Sequence, residues 1–380
     1  MAATGLLGLV FAAAGCGTPP TTSPTVPACP ARSLTTVQAI SMDQYSIPRA
    51  VSGDGRFVVT TSVADAGTAI VFTLRRTDGT AGVRTIAKLT DYSTDDDIIV
   101  SVSTSGSEVV YGLAKSYRHD ADHNVLRRWH AADGSVTDVV TPAPTMPPGP
   151  ATSIVYPRQA SVDGQRIVWT QLFYGSTPNW IDMVTDARTD AVITEVPRST
   201  AVPNLADALS SGDHFSVLNV VAATLLDVDS GEVIDLGPAA ALAVAQYPGD
   251  PFLLSQVSDD GRYVVFHRMH GVPGDPYSSD TVRFDTVTSV VTPVLVNHPI
   301  SQDYIGDITV MDVANSGDVL LGTRTDVNIG LMRLSVVGLD GMTTNVASSG
   351  YIVSSTADLR TVVVLRQLAL GYELDSSRCV

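Results

Sequence analysis

Short apolar runs with every second position buried in character, such as Val282 and Phe284 or Met332, Leu334 and Val336, recur along the chain between polar breaks. This alternation is the pattern of half-buried sheet strands. The breaks repeat a phrase, clearest as Val-Ser-Asp-Asp-Gly-Arg-Tyr-Val-Val-Phe at residues 257 to 266. Echoes begin at Val51, Val102 and Ala160, with fainter ones at Leu209 and Ala314 and a glycine-free copy at Ser354. From Gly55 through Gly106, Gly164, Gly212, Gly261 and Gly317 to the equivalent Leu359, the steps are 51, 58, 48, 49, 56 and 42 residues. A period in this range marks a propeller or a solenoid.

Within the phrase, an Asp-Gly or Ser-Gly pair supplies the positive φ of a tight hairpin turn, and the apolar run behind it is a strand. A second hairpin follows in most units, at Asp78-Gly79, Asp133-Gly134, Ser230-Gly231 and Asp340-Gly341, with glycine-free counterparts at 188–190 and 286–288. Two hairpins imply four strands per unit. Seven such units predict an all-β, seven-bladed β-propeller of four-stranded antiparallel blades. Both hairpins of a four-stranded meander lie at the same end, so one face carries short turns. The other face is expected to carry the long connections, at 62–68, 114–124, 171–179 and 267–280 within blades and 91–98, 141–157, 237–251 and 296–306 between them. Function in such a scaffold belongs to the irregular loops.

The stretch Ser258-Asp259-Asp260-Gly261-Arg262-Tyr263-Val264-Val265-Phe266, with fainter copies at 52–59 and 161–169, resembles the TolB-like, Ser-Pro-Asp-Gly type propeller repeats of bacterial envelope proteins. The resemblance covers residues 48–380. Gly53, Thr104, Val162 and Asp259 stand where the family has proline. It implies a binding protein or the propeller half of a peptidase. The peptidase version needs a Gly-x-Ser-x-Gly elbow, which this sequence lacks.

The N-terminus looks like a bacterial lipoprotein signal: an apolar run from Gly5 to Gly15 ends in Ala13-Ala14-Gly15-Cys16, and a Thr/Pro-rich stretch follows. The run is too short to span a bilayer. The organisation expected is a signal peptide over 1–15, a tether over 16–32 with Cys16 as the lipidated residue, and the propeller over 33–380. Cys29 and Cys379 remain, either as a pair in an oxidising compartment or as two unrelated thiols. The last unit has apolar runs at 361–365 and 368–374 but wants a fourth strand, and residues 33–41 resemble fourth strands elsewhere. The expectation is that an N-terminal strand closes the last blade and that a Cys29–Cys379 disulfide locks it.

Charge narrows the partners. A net charge of −16 excludes nucleic acid and anionic lipid as natural partners, leaving an envelope protein or cell-wall ligand and membrane attachment through the lipid anchor alone. The protein is read as a monomer on the extracytoplasmic face of the cell membrane. No cofactor is called for, although His119, Asp120, Asp122 and His123 offer the donor types of a divalent-metal site; a solvated loop tip is the competing reading. Asp95, Asp96 and Asp97 form a second polar cluster. Tyr117, Phe173, Tyr174, His267, His270 and Tyr277 place aromatic and histidine side chains on the long-connection face, the residue types that anchor interfaces. Motifs for nucleophilic, zinc-peptidase or nucleotide chemistry are missing. The function expected is a binding scaffold, with a lactonase, lyase or glycan hydrolase sited at the channel mouth as the alternative.

Overall fold

The computed structural model describes residues 29–40, 46–80, 82–114, 125–142, 153–161, 164–173, 179–198, 208–210, 215–219, 224–227, 233–271, 277–301, 303, 305–326, 332–350, 353–368 and 371–380. They form seven four-stranded antiparallel sheets. Strand β1, Arg32–Ile40, comes first in the chain and belongs to the last sheet. Sheet one holds β2 Ser46–Val51, β3 Phe57–Ala64, β4 Ala69–Arg76 and β5 Arg84–Thr90; sheet two holds β6 Asp97–Val102, β7 Glu108–Ala114, β8 Val125–His130 and β9 Val136–Asp138. Sheet three is β10 Ser153–Ala160, β11 Arg166–Phe173, β12 Asn179–Asp186 and β13 Val192–Arg198, and sheet four is β14 Ala208–Ser210, β15 Phe215–Asn219, β16 Thr224–Asp227 and β17 Val233–Asp235. Helix α1, Gly237–Gln246, then leads into sheet five, built of β18 Leu253–Val257, β19 Tyr263–His270, β20 Tyr277–Asp285 and β21 Val290–Ile300. Sheet six holds β22 Ile308–Val313, β23 Val319–Arg324, β24 Met332–Val337 and β25 Thr343–Gly350, and sheet seven holds β26 Val353–Ser355, β27 Thr361–Leu368 and β28 Gly371–Cys379.

The N-terminal strand completes sheet seven as expected. β1 pairs antiparallel with β28 from Arg32 opposite Cys379 to Ile40 opposite Tyr372, and a disulfide joins Cys29 to Cys379 with Cα atoms 5.4 Å apart.

The repeated phrase is a braced hairpin. In sheet one, Ser52 Oγ donates to Asp54 Oδ1 at 2.6 Å and accepts from Phe57 N at 2.9 Å, while Arg56 N donates to Asp54 Oδ1 at 3.0 Å. Sheet five repeats this through Ser258, Asp260, Tyr263 and Arg262. The serine and aspartate thus satisfy turn donors that would otherwise face solvent without a fixed partner. In sheet seven Thr356 and Asp358 perform the same bracing, and Leu359 takes the turn position at φ 52°.

The hairpin glycine also lets sheets approach one another. A Cβ on Gly106 would stand 2.4 Å from the Phe57 ring of sheet one, and one on Gly55 would stand 2.4 Å from Thr361 Oγ1 of sheet seven. Apolar clusters fill the junctions behind these contacts: Val59, Phe72, Val102 and Tyr111 between sheets one and two, Val110, Ile167 and Trp169 between two and three, and Leu225, Leu236 and Phe266 between four and five. Tyr263, Val265, Val310 and Leu321 join five to six, Leu320, Leu334, Val362 and Val364 join six to seven, and Val363, Leu374, Val51 and Val58 join seven to one. Each large aliphatic buried in this way contributes about 1.5–3 kcal/mol. Two buried arginines add polar links at equivalent places. Arg128 donates to the carbonyl of Gly164 at 3.3 Å, and Arg283 donates to the carbonyl of Gly317, in each case the hairpin glycine of the following sheet.

Several expected loops are shorter than the sequence suggested, β10 beginning at Ser153 and β11 running to Phe173 among them. β3 continues through Ser62 to Ala64, β21 runs to Ile300, and β19 and β20 take up residues 263–270 and 277–285. The expected connection at 237–251 contains α1, whose Ala239 and Ala243 pack one turn apart into the junction of sheets four and five. Its ten residues carry no charge and only two turns of apolar spacing, too little for the pattern to stand out.

Candidate functional site

Turns from first to second and from third to fourth strands lie at one end of every sheet, so the remaining connections share the opposite face. The expected site residues fall there unevenly. Asp95 is exposed and precedes β6, Asp96 is half-buried and accepts the Ser93 N–H at 2.8 Å, and Asp97 opens β6. Together they shape a local turn. Tyr117, His119, Asp120, Asp122, His123 and Tyr174 lie outside the described residues, as does Cys16; Phe173 is the last residue of β11. No group of three or more His, Cys, Asp or Glu residues suited to a metal is found among the described residues.

His267, His270 and Tyr277 stand in β19 and β20 rather than in a loop. The reason is a buried ion pair that continues the strands. Arg268 and Asp280 are 4% and 1% exposed. Arg268 Nε and Nη2 both donate to Asp280 Oδ2, at 2.8 and 2.5 Å. Asn297 N donates to Asp280 Oδ1 at 2.7 Å, while Arg268 Nη1 donates to the Asp250 carbonyl at 2.8 Å. The guanidinium lies 4.3 Å from the centroid of the Phe252 ring. Residues after α1 are thereby fastened to sheet five. An ionic pair this dry persists only because its remaining donors and acceptors are satisfied.

Electrostatics follow from this packing. Burial pushes the Asp280 carboxyl up, but the Asn297 N–H and the Arg268 guanidinium outweigh it and hold the group below the usual carboxylate range. His270 Nε2 lies 3.2 Å from Asp280 Oδ2, an oxygen already accepting two bonds from Arg268, and forms no hydrogen bond with it. His267 points the other way, toward sheet six, with Nδ1 3.0 Å from Thr281 Oγ1. Desolvation lowers its pKa, opposed by Asp307 and Asp280. His298, opposite Ser279 in β21, is likewise lowered by desolvation. His267, His298 and the exposed Leu253 and Met269 therefore border the junction of sheets five and six on this face. The sequence singled out His267 and His270 but missed Arg268 and Asp280, whose only signal was polarity inside apolar strands.

No protein-family model matches the chain, and no curated protein matches it in sequence. In structure it is similar to an oligogalacturonate lyase in complex with manganese, with 14% identity, 92% of this chain and 97% of that chain covered, and a TM-score of 0.55. It is also similar to the β-propeller domain of the Trilobed protease from Pyrococcus furiosus, described as having an open velcro topology, with 10% identity, 88% and 95% coverage and a TM-score of 0.54. TolB from Acinetobacter baumannii aligns with 16% identity over 76% of this chain and 63% of that chain, with a TM-score of 0.39. The first two similarities show a β-propeller fold.

Proposed function

We propose that the chain is a closed seven-bladed ring, tethered at its N-terminus outside the cytoplasm, that presents its long-connection face to a protein or cell-wall ligand. The observation that carries this reading is where the chain enters the ring. Cys29, Arg32 and Cys379 lie at the short-turn end: Arg32 Nη2 donates to the Leu359 carbonyl at 2.5 Å and Cys379 N donates to the Arg360 carbonyl at 2.8 Å, both in the first hairpin of sheet seven. A disulfide there suits an oxidising compartment. With Cys16 lipidated, about a dozen residues would separate the anchor from the ring, a reach of at most roughly 40 Å. The anchor then leaves from the turn face, and the opposite face looks away from the bilayer. The rigid ring holds its loops with little entropy to lose on binding.

The test has two arms. Replacing Cys16 by alanine releases the protein from the membrane fraction under this reading; retention removes the anchor. Photo-crosslinkers at Asp95 or Met269 on the long-connection face, compared with Asp133 or Asp340 on the turn face, should capture a partner from the first pair only. Capture from the turn face alone, or turnover of a glycan or lactone panel by the purified protein, would overturn the scaffold reading.

A further inference from the structure

Outer strands seal the junctions between sheets. β5 places Ile86 and Leu89 in the junction of sheets one and two, β21 places Val294 between five and six, and β25 places Val346 and Ala347 between six and seven. β17 is only three residues long, and there Leu236 and the α1 residues Ala239 and Ala243 supply the apolar surface instead. β9 is equally short, and all three of its residues are exposed. Among the described residues no helix follows it. Val139, just past its end, is half-buried against the apolar cluster between sheets two and three.

A cavity of about 210 Å³ lies at this thinly covered junction. Leu126, Val139, Pro157 and Trp169 form its walls, and the exposed Asp138 and Thr141 stand at its mouth. It sits toward the long-connection end of sheet two, where Val125 begins β8 and Asp138 ends β9. Trp169 is 1% exposed and its Nε1 donates to Thr185 Oγ1 at 2.8 Å, which fixes the indole. The cavity is therefore preformed. An apolar cavity of roughly 150 Å³ holds benzene, whereas pockets for drug-sized ligands begin at roughly 300 Å³. The space here has room for one substituted aromatic ring and excludes a larger ligand.

We propose that this cavity is the anchor pocket of the long-connection face, taking one tyrosine or tryptophan side chain of a protein partner. The inference deepens the scaffold reading above and rests on it. Such a side chain buries a large apolar ring and carries a hydrogen-bond donor at its polar end. The walls suit the ring. The Asp138 carboxylate at the mouth accepts from Arg127 Nε at 3.2 Å, and with two acceptor oxygens it can take the donor as well. An aromatic side chain seated in a dry pocket supplies most of the affinity of an otherwise polar interface.

Titration with 4-methylphenol, the tyrosine side chain in isolation, followed by ligand-observed NMR, should show one saturable site with a Kd of roughly 1 mM. Val139→Phe fills the cavity from its outer edge and should weaken binding about 10-fold or more. Thr141→Trp blocks the mouth from an exposed position and should do the same even where the Val139 substitution disturbs folding, while Val83→Phe, exposed beside sheet one, should change nothing. Asp138→Ala should weaken 4-methylphenol and leave toluene unaffected. In the capture assay, Val139→Phe should cut the yield from a photo-crosslinker at Asp95 about 10-fold or more. A wild type that captures a partner but shows no saturable 4-methylphenol binding, or a filled cavity that captures as well as wild type, overturns the anchor pocket and leaves the scaffold standing. A wild type that binds 4-methylphenol but captures nothing overturns the scaffold reading, and the anchor with it.

Discussion

Gly106→Ala and Gly134→Ala carry the same backbone cost and different packing costs, and the pair measures how closely neighbouring sheets must approach. Gly106 has φ 71° and Gly134 has φ 72°. An L-residue in that region costs about 1–2 kcal/mol in either place. A Cβ on Gly134 meets nothing within 4 Å, whereas one on Gly106 would lie 2.4, 2.8 and 3.0 Å from three atoms of the Phe57 ring. The ring packs in the cluster between sheets one and two, so relief requires off-rotamer movement or separation of the sheets, adding about 1–3 kcal/mol. Gly134→Ala should therefore destabilise by about 1–2 kcal/mol and Gly106→Ala by about 2–5 kcal/mol. Urea titration followed by tryptophan fluorescence reads both, and the Phe57→Leu background should shrink the difference between them. Equal losses for the two alanine variants would refute the claim that the repeated glycine serves close approach as well as the turn.

Removal of the disulfide by Cys29→Ser with Cys379→Ser frees a loop of 350 residues, for which the chain-entropy relation gives about 6 kcal/mol as an upper limit; we expect about 3–5 kcal/mol by denaturant titration, matched by reduced wild type, and no change with reductant in the serine variant. β1 amides should be the first to lose hydrogen-exchange protection in that variant, and uniform protection would count against an N-terminal strand held chiefly at its ends. Asp280→Ala leaves Arg268 charged and buried and should cost about 3–5 kcal/mol, with Arg268→Met, Asp280→Leu recovering much of it; an additive double variant would deny the coupling. His267 is held below its ordinary pKa by burial, so the unfolded chain binds the proton more readily and stability should fall as pH drops through about 6.5. His267→Gln should flatten the unfolding midpoint between about pH 7 and pH 5, and an unchanged slope would assign the dependence to other groups.

The architecture was legible because its signals are local. Ser52, Asp54 and Gly55 brace a hairpin within six residues, the same brace recurs in sheets five and seven, and even Leu359 could be aligned to the glycine position that its φ now fills. The disulfide could be anticipated from the missing fourth strand of the last unit. The chemistry was harder to read. His267 and His270 looked like loop residues because the polar stretch around them resembles a connection, and only the Arg268–Asp280 pair, twelve residues apart in sequence, explains why strands continue through it. Helix α1 was hidden by its alanine-rich, uncharged content.

Sequence alone determined the repeat, the turn chemistry and the alternation of buried positions, since each acts over a few residues and is written in residue type. Tertiary structure decided which polar residues are buried together and at which end of sheet seven Cys29 meets Cys379. Those outcomes depend on contacts between sheets, where Phe57 meets Gly106 and Thr361 meets Gly55, and a contact between distant segments is set by packing geometry that local composition does not encode.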